Sequence, residues 1–165
     1  MSTNRPPFSQ LVRDPVLALA FGFGSGLAPK APGTFGTIVG VALYWPLSQL
    51  SVLGYLAAVT IAAVAGVYIC GAAAQKLGVH DHGGVVWDEI VGIWVALAML
   101  PDHPLWILMG FGLFRCFDIL KPWPIRWLDK HVGGGVGIML DDLVAGLMAF
   151  GVLLACMQLL TLPAL

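Results

Sequence analysis

The sequence predicts an all-α integral membrane bundle of about five transmembrane or re-entrant helices, with its polar site at the cytoplasmic face. Three observations predict it. The 165 residues are 59% hydrophobic and only 10% charged, where soluble domains carry about 25% charged residues, and mean hydropathy is +0.90. No charge occurs from Ala31 to Gln75, a stretch too long for one span of ~20 residues and suited to two. Finally, the 8 Lys and Arg all fall on one side of the topology that these apolar runs imply.

The elements follow in order within a single domain, 1–165. Residues 1–15, MSTNRPPFSQLVRDP, form a polar tail without a signal-peptide core. The stretch VLALAFGFGSGLAP (16–29) is apolar but short and Gly-rich, which suits an interfacial or re-entrant piece. Helices are expected near 35–49 and 52–74, separated around Pro46 and the serines at 48 and 51. A third apolar run follows Glu89 and ends at Pro101. PDHP (101–104) makes a tight turn, and 105–121 returns. PWPIRWLDKHVGGGVG (122–137) reads as a Pro-, Gly- and Trp-rich loop, and the last helix runs from about 138 to 162 with Asp141 and Asp142 at its start.

With the N-terminus inside, Arg5, Arg13, Lys30, Lys76, Arg115, Lys121, Arg126 and Lys130 all lie on the inner side, and the outer turns hold none. The positive-inside rule then places the N-terminus in the cytoplasm. All the acids except Asp102 share that side. A net charge of −1 with scattered basic residues excludes a nucleic-acid partner. Cys70, Cys116 and Cys156 have no metal-ligand spacing and read as packed free thiols.

Depth singles out the carboxylates. From Pro101 back to Glu89 is about 12 residues, or ~18 Å at 1.5 Å per residue, against a hydrocarbon core of ~30 Å. Asp88 and Glu89 therefore sit below the headgroups, and charges at that depth default to function.

Four stretches carry chemistry, each with a plainer alternative. In LAPKAPGTFGT (27–37), Lys30, Thr34 and Thr37 around a glycine-rich helix start suit an anion; the alternative is a Pro/Gly turn with Lys30 snorkelling to headgroups. In HDHGGVVWDEI (80–90), Asp88 and Glu89 suit a metal, with the loop residues His80, Asp81 and His82 weaker candidates; the alternative is acids on a helix N-terminal dipole. In FRCFDILKPWP (114–124), Arg115, Asp118 and Lys121 form one helix stripe. Asp118 suits a cation, and Arg115 and Lys121 suit a phosphate; the alternative is a ladder of ion pairs. In GGGVGIMLDDLVAGL (133–147), Asp141 and Asp142 repeat the adjacent acid pair. Clustered hard oxygen donors suit Mg²⁺, and a hard cation beside Arg and Lys suits phosphoryl chemistry.

The blocks GLAPKAPGTFGT, HDHGGVVWDEIVGIW, FRCFDILKPWPI and GGVGIMLDDLVAG resemble those of the phosphatidylglycerophosphatase A family, in order, from residue 22 to about 147. The resemblance implies a Mg²⁺-dependent lipid phosphatase of the bacterial inner membrane. Its substrate would be phosphatidylglycerophosphate and its product phosphatidylglycerol. The family's functional residues carry over to Lys30, Thr34, Asp88, Glu89, Arg115, Asp118, Lys121, Asp141 and Asp142. The expected division of labour has Mg²⁺ held by Asp88, Glu89, Asp118, Asp141 and Asp142. The phosphate would be gripped by Lys30 with its loop, including Thr34 and Thr37, and by Arg115 and Lys121. Attack by water is favoured over an aspartyl nucleophile, because no DxDx(T/V) pattern is present. Two other functions fit the buried charges: ion transport, opposed by the lack of an inverted repeat, and a non-catalytic subunit pairing with a partner. A CDP-alcohol phosphotransferase would need DxxDGxxAR, which does not occur.

Overall fold

The computed structural model describes residues 6–79, 82–101 and 103–161, with side chains described to 159. His80, Asp81, Asp102 and Arg5 lie outside the described residues. The described chain is all-helical: α1 (Phe8–Arg13), α2 (Pro15–Ala20), a 3-10 helix (Gly22–Leu27), α3 (Pro32–Ser48), α4 (Val52–Leu77), α5 (Trp87–Ala96), α6 (Pro104–Leu120), α7 (Ile125–His131) and α8 (Gly134–Thr161).

The helix ends follow from local chemistry. Pro15, Pro32 and Pro104 each occupy a first turn, where their missing N–H would have no helical partner. The Asp14 carboxylate caps α2 by accepting from Val16 N at 3.0 Å, and Ser51 Oγ caps α4 by accepting from Gly54 N at 3.2 Å. Gly78 ends α4 in the left-handed region, at φ 68°, where a residue without Cβ is unstrained.

Helices α3, α4, α6 and α8 surround α5. Ile90, Val91, Gly92, Ile93, Trp94 and Ala96 are all buried, so α5 has no outward face. Its polar tips anchor it to the neighbours. Trp94 Nε1 donates to Gly40 O of α3 at 2.8 Å, Trp87 Nε1 to Ala62 O of α4 at 3.1 Å, and Tyr55 Oη to Trp94 O at 2.6 Å. In an apolar interior such bonds face no competition from water.

The outer surface is apolar. Leu53 (79% exposed), Ile61, Val64 and Tyr68 of α4, with Trp45 of α3 and Leu108 of α6, point outwards, while Asp141 and Asp142 are buried. Soluble proteins show the reverse distribution. By length and composition, two described helices suffice to cross a membrane, Val52–Leu77 and Gly134–Leu159. At ~15 Å, the ten-residue α5 is half a hydrocarbon thickness.

Several expectations are revised. Part of the polar tail folds as α1, and α7 occupies the stretch read as a loop. Residues 16–29 become α2 and the 3-10 helix. α5 stops at Ala96 rather than running to Pro101, because Leu97 and Met99 leave helical geometry, Met99 at φ 57°. α8 starts at Gly134, so Asp141 and Asp142 lie two turns inside it and the N-terminal dipole does not account for them. Among the cysteines, Cys70 is buried but Cys116 is exposed.

Candidate active site

Helices α5 and α8 run parallel and α6 antiparallel to both, which gathers the charges at one end of the bundle. The first turn of α5 brings Asp88 and Glu89, α6 ends there with Arg115, Asp118 and Lys121, and α8 contributes Asp141 and Asp142. The α5–α8 crossing is close because both helices carry glycine at it: a Cβ on Gly146 would strike the Gly92 carbonyl and stand 3.0 Å from Val95 Cβ. That approach places a carboxylate oxygen from each of Asp88, Glu89 and Asp142 within 4.8 Å of one another.

Each of these acids keeps one oxygen that the protein leaves without a donor. Asp88 Oδ1, Glu89 Oε2 and Asp142 Oδ2 are buried and accept no hydrogen bond from the protein. Ionised carboxylates are acceptors only, so three together repel one another unless a cation or proton intervenes. They border a cleft of about 160 Å³ that Asp118, Lys121, Asp129 and Asp141 also line, with room for several waters.

The other two acids of the expected five are held by bases. Arg115 Nη1 lies 2.5 Å from Asp118 Oδ2, one turn along α6, and 3.7 Å from Glu89 Oε1. Lys121 Nζ lies 2.7 Å from Asp141 Oδ2 and 2.6 Å from Asp129 Oδ1. Lys121 adopts the left-handed conformation, φ 43°, as it ends α6 and turns its ammonium into the cleft. Its burial would lower its pKa, but the hydrogen bonds to Asp129 and Asp141 outweigh burial and raise it.

The expected metal set thus divides into a clustered trio (Asp88, Glu89, Asp142), of which only Glu89 has a base within 4.0 Å (Arg115, at 3.7 Å), and two acids held in short ion pairs, Asp118 and Asp141. The Arg115–Asp118 contact matches the ion-pair alternative for that stripe, whereas Lys121 reaches to α7 and α8 instead. Among the expected phosphate ligands, Lys121 lines the cleft. Lys30 is exposed, Thr34 is half-buried, and neither borders the cleft. The Thr37 hydroxyl is fully buried and donates to Gly33 O at 2.8 Å within α3, away from the cleft. His82 packs on Phe21, and its Nδ1 accepts from Gly84 N.

Two residues escaped sequence reasoning. Asp129 was hidden in a presumed loop, although IRWLDKH (125–131) contains no helix breaker. Gly33 is the point where α3 meets the site: its Cβ would strike Glu89 Oε1 and stand 3.0 Å from Arg115 Nη1. The segment bearing Lys30 and Thr34 therefore begins against the Glu89–Arg115 pair.

The fold and site define a class: an all-helical protein with an apolar exterior, two helices of membrane-crossing length and a buried acidic cleft edged by cations. Comparison with known proteins makes the class specific. Residues 18–157 match the phosphatidylglycerophosphatase A family. The Phosphatidylglycerophosphatase A of Escherichia coli (strain K12) is 46% identical over 82% of the chain and 79% of that protein. The Phosphatidylglycerophosphatase A of Haemophilus influenzae is 45% identical over 94% of the chain and 96% of that protein. A Bacteroides thetaiotaomicron protein named putative phosphatidylinositol-3-phosphatase is 40% identical over 82% of the chain and 89% of that protein. No solved structure matches. The chain belongs to the phosphatidylglycerophosphatase A family and is an enzyme of the phosphatase class.

Proposed function

We propose that the chain hydrolyses the phosphomonoester of phosphatidylglycerophosphate, yielding phosphatidylglycerol and phosphate, with Mg²⁺ as cofactor. The observation that carries the proposal is the trio Asp88, Glu89 and Asp142, whose oxygens lie within 4.8 Å of one another and each of which keeps one buried oxygen that accepts no hydrogen bond, beside the Lys121 ammonium on one cleft. The names of the two 45–46% identical relatives support the substrate.

The trio's donor set is all oxygen, which fits a hard divalent cation. Bound there, Mg²⁺ would neutralise phosphate oxygens and make a water more acidic.

The chain's own groups would do the rest. Lys121 is the cleft's lining cation, and an incoming phosphomonoester would compete with Asp129 and Asp141 for its protons. Arg115 would hold Glu89 and Asp118 in place from behind. Lys30 and Thr34, outside the cleft lining but on the segment that meets the site at Gly33, would reach the phosphate only from its outer side. A carboxylate freed from Lys121 could accept the proton of the attacking water. As the new P–O bond forms, the bond to the glycerol oxygen breaks, and that oxygen takes up a proton to leave as the alcohol.

The apolar exterior and the helices Val52–Leu77 and Gly134–Leu159 support an integral membrane setting, and bacterial relatives suggest the inner membrane. The described basic residues gather at the site end of the bundle, and by the positive-inside rule this favours a cleft that faces the cytoplasm. The test is phosphate release from phosphatidylglycerophosphate in detergent micelles by the purified protein. Release that requires Mg²⁺ and stops with EDTA is expected; no release above protein-free micelles would refute the proposal.

A further inference from the structure

A second concavity adjoins the catalytic cleft. It is a groove of about 480 Å³, bordered by Trp123, Arg126, Trp127 and Lys130. Lys121 borders both spaces, so the groove and the cleft are neighbours on either side of its side chain. Its character differs: the cleft is lined by carboxylates, whereas the groove is walled by indole rings and carries cations.

The short helix α7 explains the difference. Ile125 is fully buried and fixes the helix on the bundle. Asp129 turns to Lys121 in the cleft. Arg126 and Lys130 are spaced i, i+4 and so share a face, and among the described residues no ion pair engages either. Trp123 is 80% exposed and Trp127 53%. Trp127 is stacked at 4.7 Å on His131. Exposed indoles beside unpaired cations are the composition of a membrane–water interface.

We infer that this groove is the subsite for the phosphodiester of the lipid substrate. The inference rests on the phosphatase proposal above and extends it to recognition. Phosphatidylglycerophosphate carries two phosphates joined by one glycerol. With the monoester at Lys121, the diester lies one glycerol away on the side where the acyl chains leave. The groove meets that requirement. Arg126 and Lys130 supply positive charge for the diester anion, and Trp123 and Trp127 supply apolar walls for the glycerol backbone and the first acyl carbons. The groove therefore selects lipids with an anionic diester next to the monoester.

The test uses the full-length protein in detergent micelles, where it stays embedded and surface association does not limit the rate. In R126A/K130A, KM for phosphatidylglycerophosphate, as mole fraction in the micelle, is expected to rise about tenfold or more with kcat within about twofold. R126K/K130R is expected to retain most of the affinity. Binding of short-chain phosphatidylglycerol, which keeps the diester and lacks the monoester, should weaken similarly. Unchanged KM and unchanged binding, or a loss confined to kcat, would overturn the subsite. If the unaltered protein releases no phosphate, the phosphatase proposal fails, and the phosphatidylglycerol measurement still decides the groove.

Discussion

Asp88 of α5 and Asp142 of α8 bring carboxylate oxygens within 4.8 Å of each other and of Glu89, on helices held in close approach by Gly92 and Gly146. Packing forces this proximity, and Arg115, 3.7 Å from Glu89, is held more closely by Asp118 at 2.5 Å. Buried unpaired carboxylates destabilise a fold unless a ligand or function holds them there.

Asp88→Asn removes one of the repelling charges. The variant should melt at the same temperature as the original protein, or higher, without divalent cation. It should also lose the stabilisation that saturating Mg²⁺ gives the original, which grows with ligand concentration by mass action. Thermal melts in detergent with and without Mg²⁺ check this. An undiminished Mg²⁺ shift in the variant would remove Asp88 from the ion's ligands.

Gly33→Ala tests the seat of Glu89. The added methyl would strike Glu89 Oε1 and crowd both terminal nitrogens of Arg115, at 3.0 and 3.1 Å. Overpacking of this kind typically destabilises by about 1–3 kcal/mol, and here it falls on site residues. Phosphate release should therefore drop at least tenfold while the protein remains folded by circular dichroism. Full activity would mean that the Glu89–Arg115 geometry is unimportant.

Lys121→Ala should lower kcat by about a hundredfold or more, the scale for losing a donor aimed at transferring charge, and would leave Asp129 and Asp141 unpaired. The raised pKa of Lys121 sets a sign. Its charge, and the stability it contributes, are fully present below the ordinary value of 10.5 and are lost only as pH rises through the higher folded value. No alkaline decline attributable to Lys121 should appear below pH 10.5 in a kcat/KM profile. A Lys121-dependent inflection near pH 8 would contradict the two-carboxylate clamp.

Asp14 and Lys76 form an ion pair that ties the start of α2 to the end of α4. The hydrogen bond from Lys76 holds the Asp14 carboxyl below its ordinary pKa of 3.8. The pair's stabilisation is thus complete above pH 3.8 and is lost as pH falls through the lower folded value. Both side chains are partly exposed, so Asp14→Asn should destabilise by about 0.2–1 kcal/mol at neutral pH. Melting temperatures of the variant and the original should converge once pH has fallen through that lower value; a gap that persists there would mean that the ion pair is not what Asp14 contributes.

The sequence made the long elements legible. The uncharged stretch from Ala31 to Gln75 divides into α3 and α4 at residues 49–51, where Ser51 caps α4, while Pro46, expected at the break, lies inside α3; 105–121 matches α6. Short elements were obscured: α7 lies among prolines and tryptophans, and α8 begins inside a run of glycines that ordinarily signals a turn. For the site, residue types and their common end of the bundle could be read from motifs and charge. The partnering could not. Asp118 and Asp141 look like Asp88 and Asp142 in sequence, and only packing gives the first two a cation and leaves the others without one. Thr37 sits in a ligand-like motif, yet its place on the inner face of α3 turns its hydroxyl to Gly33 O.

The most direct test of the central claim is a Mg²⁺ titration of phosphate release from phosphatidylglycerophosphate, using metal-stripped protein in micelles and its Asp142→Asn variant. The predicted result is saturable activation of the unaltered protein from near zero, with the variant at least a hundredfold less active at every Mg²⁺ concentration. Full turnover without Mg²⁺, or an Asp142→Asn variant that titrates like the original, would contradict the carboxylate trio as the seat of a catalytic cation.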